Sequence, residues 1–404
     1  MPYLDLKPQP PSNAFIPPEM VSEETRIPLI SNLCTNCGLS QLSMVVSHAE
    51  VFGEYAYRSS TSRALEQSFR ELAEVVQTRV LPNKTLQPLV VDIGANDGLF
   101  LSQLPRTGYR LLGVEPSSAA EDARGRGLEI EQDFFGADSA HGLRDKFGPA
   151  DVIATSNVLA HVDDIHSYLE GIKIWLADEG WFLLEFPYIA DMLDGLWFDT
   201  IYHEHVSYLS ITPLNAALAE HDLEIVDIQH REVGGSGPFV RLFIQHLVGG
   251  GSLTGIAAMY ERRERIQGLH LPATYSQFAG RVERLAVEIS HELQTWSEAG
   301  TTIGGFGAPA KGNTLLNYLE LGPDLITVIA DSTPGKIGCV TPGSHIPIVS
   351  DAEFLDRNIG LALLLSWNYL DHFFSHAEYI RRGGRFLTPF PTPNVVSRVD
   401  NQPF

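Results

Sequence analysis

Cysteine is scarce in this chain: Cys34, Cys37 and Cys339 are the only three among 404 residues. Three thiols cannot make a disulfide framework, so the expected setting is a reducing cytoplasm. Long apolar runs are missing as well. No stretch approaches the roughly 20 residues that cross a bilayer. The start, Met1-Pro-Tyr-Leu-Asp-Leu-Lys7, has neither the basic patch nor the apolar core of a signal peptide. No membrane partner is expected. Positive charge is also short, with 28 Lys and Arg against 50 Asp and Glu, a formal −22. Phosphate backbones are bound by surplus Lys and Arg, so a nucleic-acid partner is not expected. A small phosphorylated ligand is still allowed, because a nucleotide needs only a local basic or backbone N–H site.

What is present is a globular composition, 44% hydrophobic and 19% charged, on a chain too long for one ordinary core. Residues 1–62 read as an irregular N-terminal module with prolines at 8, 10, 11, 17 and 18 and one Cys-x-x-Cys. The spacing of Leu65, Phe69, Leu72, Val75 and Val76 predicts a helix within 62–80. Strands are then predicted at 89–93, 111–115, 151–156 and 181–186, with helices at 117–126, 140–147 and 165–177. Short apolar runs separated by helices imply a parallel sheet covered on both faces. A helix at 214–220 and strands at 223–228 and 239–246 complete a domain over 63–248. Residues 250–256 read as a Gly-rich linker, followed by a helical region over 257–299. Strands at 302–306, 325–330 and 361–367 give a second α/β domain over 249–404. The expected fold is therefore α/β: a Rossmann-like domain between a small N-terminal module and a C-terminal α/β domain.

The first strand runs into a glycine turn, Val90-Val-Asp-Ile-Gly-Ala-Asn-Asp-Gly98, with a helix expected after it. In doubly wound folds ligands sit at the carboxyl ends of the strands, and glycine at 94 and 98 lets backbone approach them closely. Glu115, ending the next strand, can accept both hydroxyls of a ribose. Dinucleotide enzymes use the same pairing, but Asn96 stands where Gly-x-Gly-x-x-Gly requires its second glycine. With Asp92 two residues before Gly94, the turn resembles that of class I S-adenosylmethionine (SAM) methyltransferases. Asp92, Gly94, Asn96, Gly98 and Glu115 are the expected cofactor residues. Asn157 joins them from Thr155-Ser-Asn-Val-Leu-Ala-His-Val162, where Asn157 and His161 serve equally well as loop hydrogen-bonders.

A second cluster, Tyr202-His203-Glu204-His205 with Tyr208, admits four readings. A metal site lacks the i, i+4 spacing of helical zinc ligands and a third ligand nearby. Nucleophilic catalysis lacks a serine or cysteine in a recognisable elbow. A polar loop or satisfied core network is the bland alternative. Acid–base catalysis fits the residue types: His titrates near neutrality, Glu orients, Tyr donates to an oxyanion. The apolar flanks Trp197, Phe198 and Ile201 favour a desolvated pocket.

Taken together these motifs resemble the SAM-dependent sugar-nucleotide C-methyltransferases of antibiotic deoxysugar biosynthesis. Further segments carry the likeness: Tyr55-Ala-Tyr-Arg-Ser-Ser-Thr-Ser62, Gly234-Gly-Ser236, Gly305-Phe-Gly-Ala-Pro-Ala-Lys-Gly-Asn-Thr314, Thr341-Pro-Gly-Ser-His-Ile-Pro347 and Ser366-Trp-Asn368. The resemblance implies methylation at C-3 of a nucleotide-linked 4-keto-deoxysugar. It implies His205 as general base, Tyr202 as enolate donor, and Glu204 orienting either His205 or a sugar hydroxyl. Tyr55 or Tyr57 would close the sugar pocket, and Lys311 and Asn313 in the 305–313 turn would bind the nucleotide diphosphate. One departure concerns metal. The family usually carries two Cys-x-x-Cys pairs around a structural zinc, whereas Cys34-Thr-Asn-Cys37 supplies two of the four ligands a tetrahedral site needs. The chain begins about where sequence following the first pair would lie. The start then lies downstream of the true one, or the metal is lost; loss is simpler, and no zinc is expected. A nicotinamide-dependent oxidoreductase, a SAM enzyme acting on a non-sugar acceptor, and a binding protein with decayed activity are the competing classes. The missing dinucleotide fingerprint opposes the first, and the intact Tyr202–His205 cluster the last.

Overall fold

A computed structural model describes residues 1–46, 58–82, 87–231, 237–247 and 255–398. Tyr55, Tyr57 and Gly234-Gly-Ser236 lie outside the described residues. The middle of the chain is organised by Leu89–Ile93 (β4), whose five side chains are all buried. Arg110–Val114 (β5) and Ala150–Ser156 (β7) pair with it in parallel, one on each side. Glu129–Glu131 (β6) extends one edge, and Leu176–Phe186 (β8) joins β7 on the other. Phe239–His246 (β11) lies antiparallel on β8, and Leu223–Arg231 (β10) closes the sheet against β11. The seven-stranded order β10-β11-β8-β7-β4-β5-β6 is that of class I SAM methyltransferases. Strands are added outward on one side of β4 through β5 and β6 and then on the other from β7, so the carboxyl ends of β4, β5 and β7 open onto a topological switch point.

The predicted helices flanking the sheet, and the one just before β10, form at Ala119–Gly125, Ala137–Phe147, Ile165–Trp175 and Ile211–Glu220. Ahead of the sheet, Ser62 caps the helix Arg63–Val75 by accepting the Leu65 amide. The apolar face of that helix, Leu65, Phe69 and Leu72, packs on Val90, Phe100 and Val152. No α-helix follows the glycine turn. Pro105 lies too close, and residues 101–103 make only a single 3-10 turn before it.

The region read as irregular at the N-terminus contains an antiparallel sheet. Pro2–Asp5 (β1), Ile30–Leu33 (β2) and Ser40–Leu42 (β3) pair in order, and Ser207–Tyr208 (β9), just past His205, adds to β3. Strands of three or four residues with polar alternation leave no periodicity to read. The helical region after residue 255 divides into Gly255–Gln267 and Pro272–Glu298. Gly268, in the left-handed region at φ 73, ends the first helix, and Pro272 starts the second.

The C-terminal sheet has six strands. Ile303–Phe306 (β12) lies between Ile329–Ala330 (β13) and Leu361–Leu364 (β15), with Ile348–Val349 (β14), Phe386–Thr388 (β16) and Asn394–Val396 (β17) outside them. All pairs are parallel except β16 with β17. Three of these strands were read from the sequence, though β13 and β15 are shorter than expected; β14, β16 and β17 are too short to stand out. Among the described residues, no helix is long and apolar enough to cross a membrane.

Candidate active site

One cavity of about 1180 Å3 runs from the carboxyl ends of β4, β5 and β7 to the turn after β12. Its floor is the glycine turn. Gly94 sits at φ 77, and a Cβ there would stand 2.3 Å from Val158 Cγ2, so the backbone is held open only because the residue is glycine. Asn96 is also left-handed, at φ 49. Its amide donates to Glu115 Oε2 at 2.8 Å, while Ser117 N–H donates to Oε1 at 2.9 Å. Each Glu115 oxygen keeps a lone pair for further hydroxyls. Asp92, Gly94, Asn96, Glu115 and Asn157 all line the cavity. Asn96 has a second duty, since its Oδ1 accepts the Ser59 amide and so pins the turn Ser59–Thr61 over the floor. Gly98 does not line the cavity. A Cβ there would meet Leu128 and Ala123, so its place is in the packing beneath the turn.

The charge of this floor restricts what it can hold. Burial, with Glu115 and Glu185 nearby, holds the Asp92 carboxyl well above the usual carboxylate range. Glu185 is paired at 2.5 Å with buried Arg241 and accepts the Ser156 hydroxyl through Oε2. Among the described residues, no cation pairs with Asp92 or Glu115. A cationic ligand relieves that repulsion, whereas a dinucleotide's pyrophosphate would add to it. The open glycine backbone, the ribose-accepting carboxylate and the acidic floor fit SAM, whose sulfonium and ammonium are both positive.

The Tyr202–His205 segment follows the 3-10 turn Phe198–Thr200. His205 Nδ1 lies 2.9 Å from the Thr200 carbonyl oxygen, which can only accept, so Nδ1 carries the proton. Nε2 is left with its lone pair and accepts from Tyr202 Oη at 2.8 Å. Burial, with His161 beside it, lowers the imidazole to about 3, which keeps the ring neutral. His161 lines the cavity too. Its ring centre is 4.9 Å from that of His205, and Nδ1 donates to the Glu204 carbonyl at 2.6 Å. Glu204 does not orient His205; the Thr200 carbonyl does. Glu204 lines the cavity; its Oε1 accepts from Asn13 Nδ2 at 3.1 Å, and its Oε2 is buried with no hydrogen-bond partner among the described residues. His203 turns the other way, to the Ile27 carbonyl.

The far wall comes from the C-terminal domain. Lys311 lies in the helix Ala310–Tyr318 that follows β12, with Nζ 2.5 Å from Asn368 Oδ1 and 3.9 Å from the centre of the Trp367 ring. Burial lowers its pKa to about 8, although nearby Asp199 opposes the shift. Lys336 is a second cation on this wall, half-buried and donating to the Ala308 carbonyl at 2.7 Å. Asn313 does not face the cavity. It is buried and spends Nδ2 on the Ser12 carbonyl at 2.7 Å, which makes it a fastening between domains rather than a ligand contact. Sequence reasoning passed over Thr200, Asn13 and Lys336. Asn13 lay in a segment with no periodic signal, and a main-chain carbonyl has none at all.

Cys34 and Cys37 are free thiols, and among the described residues no group of three or more His, Cys, Asp or Glu could hold a metal ion. The two thiols supply half of a tetrahedral site.

Three family profiles match the chain: "Putative zinc binding domain" over residues 1–52, "Methyltransferase domain" over 64–228 and "C-methyltransferase C-terminal domain" over 233–391. Over 376 residues the chain is 34% identical to the C-methyltransferase NovU of Streptomyces niveus, covering 93% of this chain and 89% of that protein. Among solved structures, a SAM-dependent methyltransferase from Anabaena variabilis is similar at 16% identity and TM-score 0.36, over 45% of this chain and 86% of the other. Magnesium protoporphyrin IX methyltransferase from Synechocystis with bound SAM is similar at 12% identity and TM-score 0.33, over 45% and 80%.

Proposed function

The chain belongs to the SAM-dependent C-methyltransferase family, and from that premise we propose that it methylates C-3 of a nucleotide-linked 4-keto-deoxysugar. The observation that carries this reading is the pair of lysines, buried Lys311 and half-buried Lys336, in the same cavity as the Tyr202–His205 segment. Ammonium groups held in a cavity of a chain of net charge −22 suit an anionic ligand, and a nucleotide diphosphate is one.

SAM would lie against Gly94 and Glu115, where it supplies an electrophilic methyl group and leaves as S-adenosylhomocysteine. The protein's part is to make a carbon nucleophile. A ketone acidifies the hydrogen on the carbon beside it. His205 is neutral and fixed through Thr200, with the lone pair on Nε2. In the structure that lone pair accepts the Tyr202 hydroxyl. On arrival of the acceptor, Tyr202 Oη–H transfers its hydrogen bond to the ketone oxygen, and Nε2 takes the carbon-bound proton. The resulting enolate oxygen is held by Tyr202. In this reading Glu204 accepts a sugar hydroxyl and Lys311 binds the diphosphate.

The test is incubation of the protein with methyl-labelled SAM and a panel of 4-keto-deoxysugar nucleotides, with mass spectrometry and NMR of the products. A new carbon–methyl bond beside the ketone is expected. Label on oxygen, or turnover only of acceptors lacking a nucleotide, would overturn the assignment.

A further inference from the structure

The N-terminal module sends one loop into the site. Ala14 N–H donates to the Pro11 carbonyl and Phe15 N–H to the Asn13 carbonyl, a tight turn that projects residues 12–15. The turn is fastened on two sides. Asn313 donates to the Ser12 carbonyl, and Thr314, which shares a hydrogen bond with Ser12 Oγ at 3.4 Å, donates to the Ile201 carbonyl at 3.1 Å, one residue before Tyr202. The same loop places Phe15 under Lys336 Nζ at 4.6 Å. Asn13, at its tip, lines the cavity and donates to Glu204 Oε1.

Glu204 is 2% exposed. Around it stand Tyr202, His203 and His205 on its own segment, His161 from the β7 loop, and Tyr208 on β9; the described hydrogen bonds bring it no Lys or Arg. Burial pushes its carboxyl up, and the Glu204 main chain, the Asn13 side chain and the main-chain amides of Asn13 and Ser12 pull it back down. Oε1 has its hydrogen bond from Asn13, whereas Oε2 is buried with no hydrogen-bond partner among the described residues, a costly arrangement unless that oxygen meets a donor. Glu204 lines the cavity, so a donor on a bound molecule is the candidate for Oε2.

We propose that Asn13 is a specificity-determining positioning residue, supplied by the N-terminal module, which holds Glu204 by Oε1 so that Oε2 accepts a hydroxyl of the acceptor. The inference rests on the keto-sugar reading above. It gives the N-terminal module a part in choosing the acceptor, separate from any structural role. Asn13 is half-buried at a loop tip, so its side chain can be exchanged with little effect on packing.

The experiment compares wild type, Asn13→Ala, Asn13→Asp, Glu204→Gln and the Asn13→Ala/Glu204→Gln double variant in SAM-dependent turnover of keto-sugar nucleotides. Each acceptor is paired with analogues lacking one hydroxyl at a time. Thermal melting verifies that each variant folds, and Asn13→Asp, nearly isosteric, replaces the alanine variant if that one does not. Asn13→Ala is expected to raise the acceptor KM about tenfold, the worth of one charge-assisted hydrogen bond. The kcat should stay within about twofold, and SAM affinity should not change. The penalty should vanish with one particular deoxy analogue and in the Glu204→Gln background. Asn13→Asp should lose kcat/KM as pH rises, because its contact with Glu204 then requires a shared proton. Equal penalties with every analogue, a fall in kcat or SAM affinity instead of a rise in KM, or an undiminished effect beside Glu204→Gln would each overturn the proposal. If wild type turns over no keto-sugar nucleotide, the acceptor reading falls and takes the proposal with it. Turnover by wild type with unchanged kinetics in Asn13→Ala refutes the proposal alone.

Discussion

The two ends of the cavity differ in the cations they hold. At the β4–β5 end the buried groups are Asp92 and Glu115, with Glu185 behind them; at the β12 end buried Lys311, beside buried Asp199, and half-buried Lys336 stand among the lining carboxylates Asp331 and Asp351. Both ends are strand–turn segments of parallel sheets, with glycine at the turn. What differs is the charge built in behind that glycine, carboxylates at one end and lysines among carboxylates at the other, and the proposed function assigns the sulfonium-bearing methyl donor to the first and an anionic acceptor to the second. A glycine turn therefore says where a ligand sits, and the buried charges beside it say which kind. Between the two ends, His205 and Tyr202 stand where donor and acceptor would meet.

Substitutions at each position should separate these roles. The largest effect is expected from His205→Ala, with loss of turnover by about a thousandfold and unchanged SAM affinity by calorimetry. Because burial lowers His205 to about 3, wild-type turnover should show no acidic limb near the ordinary histidine value, and a limb at 6 to 7 would contradict the neutral-base assignment. Tyr202→Phe should lower kcat about a hundredfold with little change in either affinity. Glu115→Ala acts at the donor end only. Loss of a charged hydrogen-bond acceptor should weaken SAM about tenfold or more and leave the acceptor KM nearly unchanged.

The smallest effect is expected at the acceptor end. Lys311→Ala should raise the acceptor KM about tenfold and spare SAM binding. Burial lowers the Lys311 ammonium to about 8, so its charge is present below that pH and lost above it. Acceptor KM should accordingly climb as pH passes through about 8. Lys311→Arg, whose guanidinium stays protonated, should flatten the climb. A Lys311 variant that weakened SAM instead would break the division of the cavity.

The donor end was largely legible in the sequence. Leu89–Ile93 is a run of five apolar or acidic residues buried on both faces, and such runs announce a central parallel strand. Asp92, Gly94 and Glu115 then follow from position in the fold. Legibility stopped where function depends on contacts between distant segments. Asn313 belongs to the same motif as Lys311, yet two residues further along the helix it faces Ser12 rather than the cavity. The orienting partner of His205 is a main-chain oxygen, which every residue carries. Glu204 was expected to serve His205 or a hydroxyl. Only the three-dimensional course of the N-terminal loop shows that Asn13 takes its Oε1.

The assignment of donor and acceptor to the two ends is tested most directly by a crystal structure with S-adenosylhomocysteine and a nucleoside diphosphate bound together. The adenosyl ribose is expected on Glu115 and the diphosphate within hydrogen-bond distance of Lys311 Nζ. A diphosphate seated against Asp92 and Gly94, or bound outside the cavity, would contradict it.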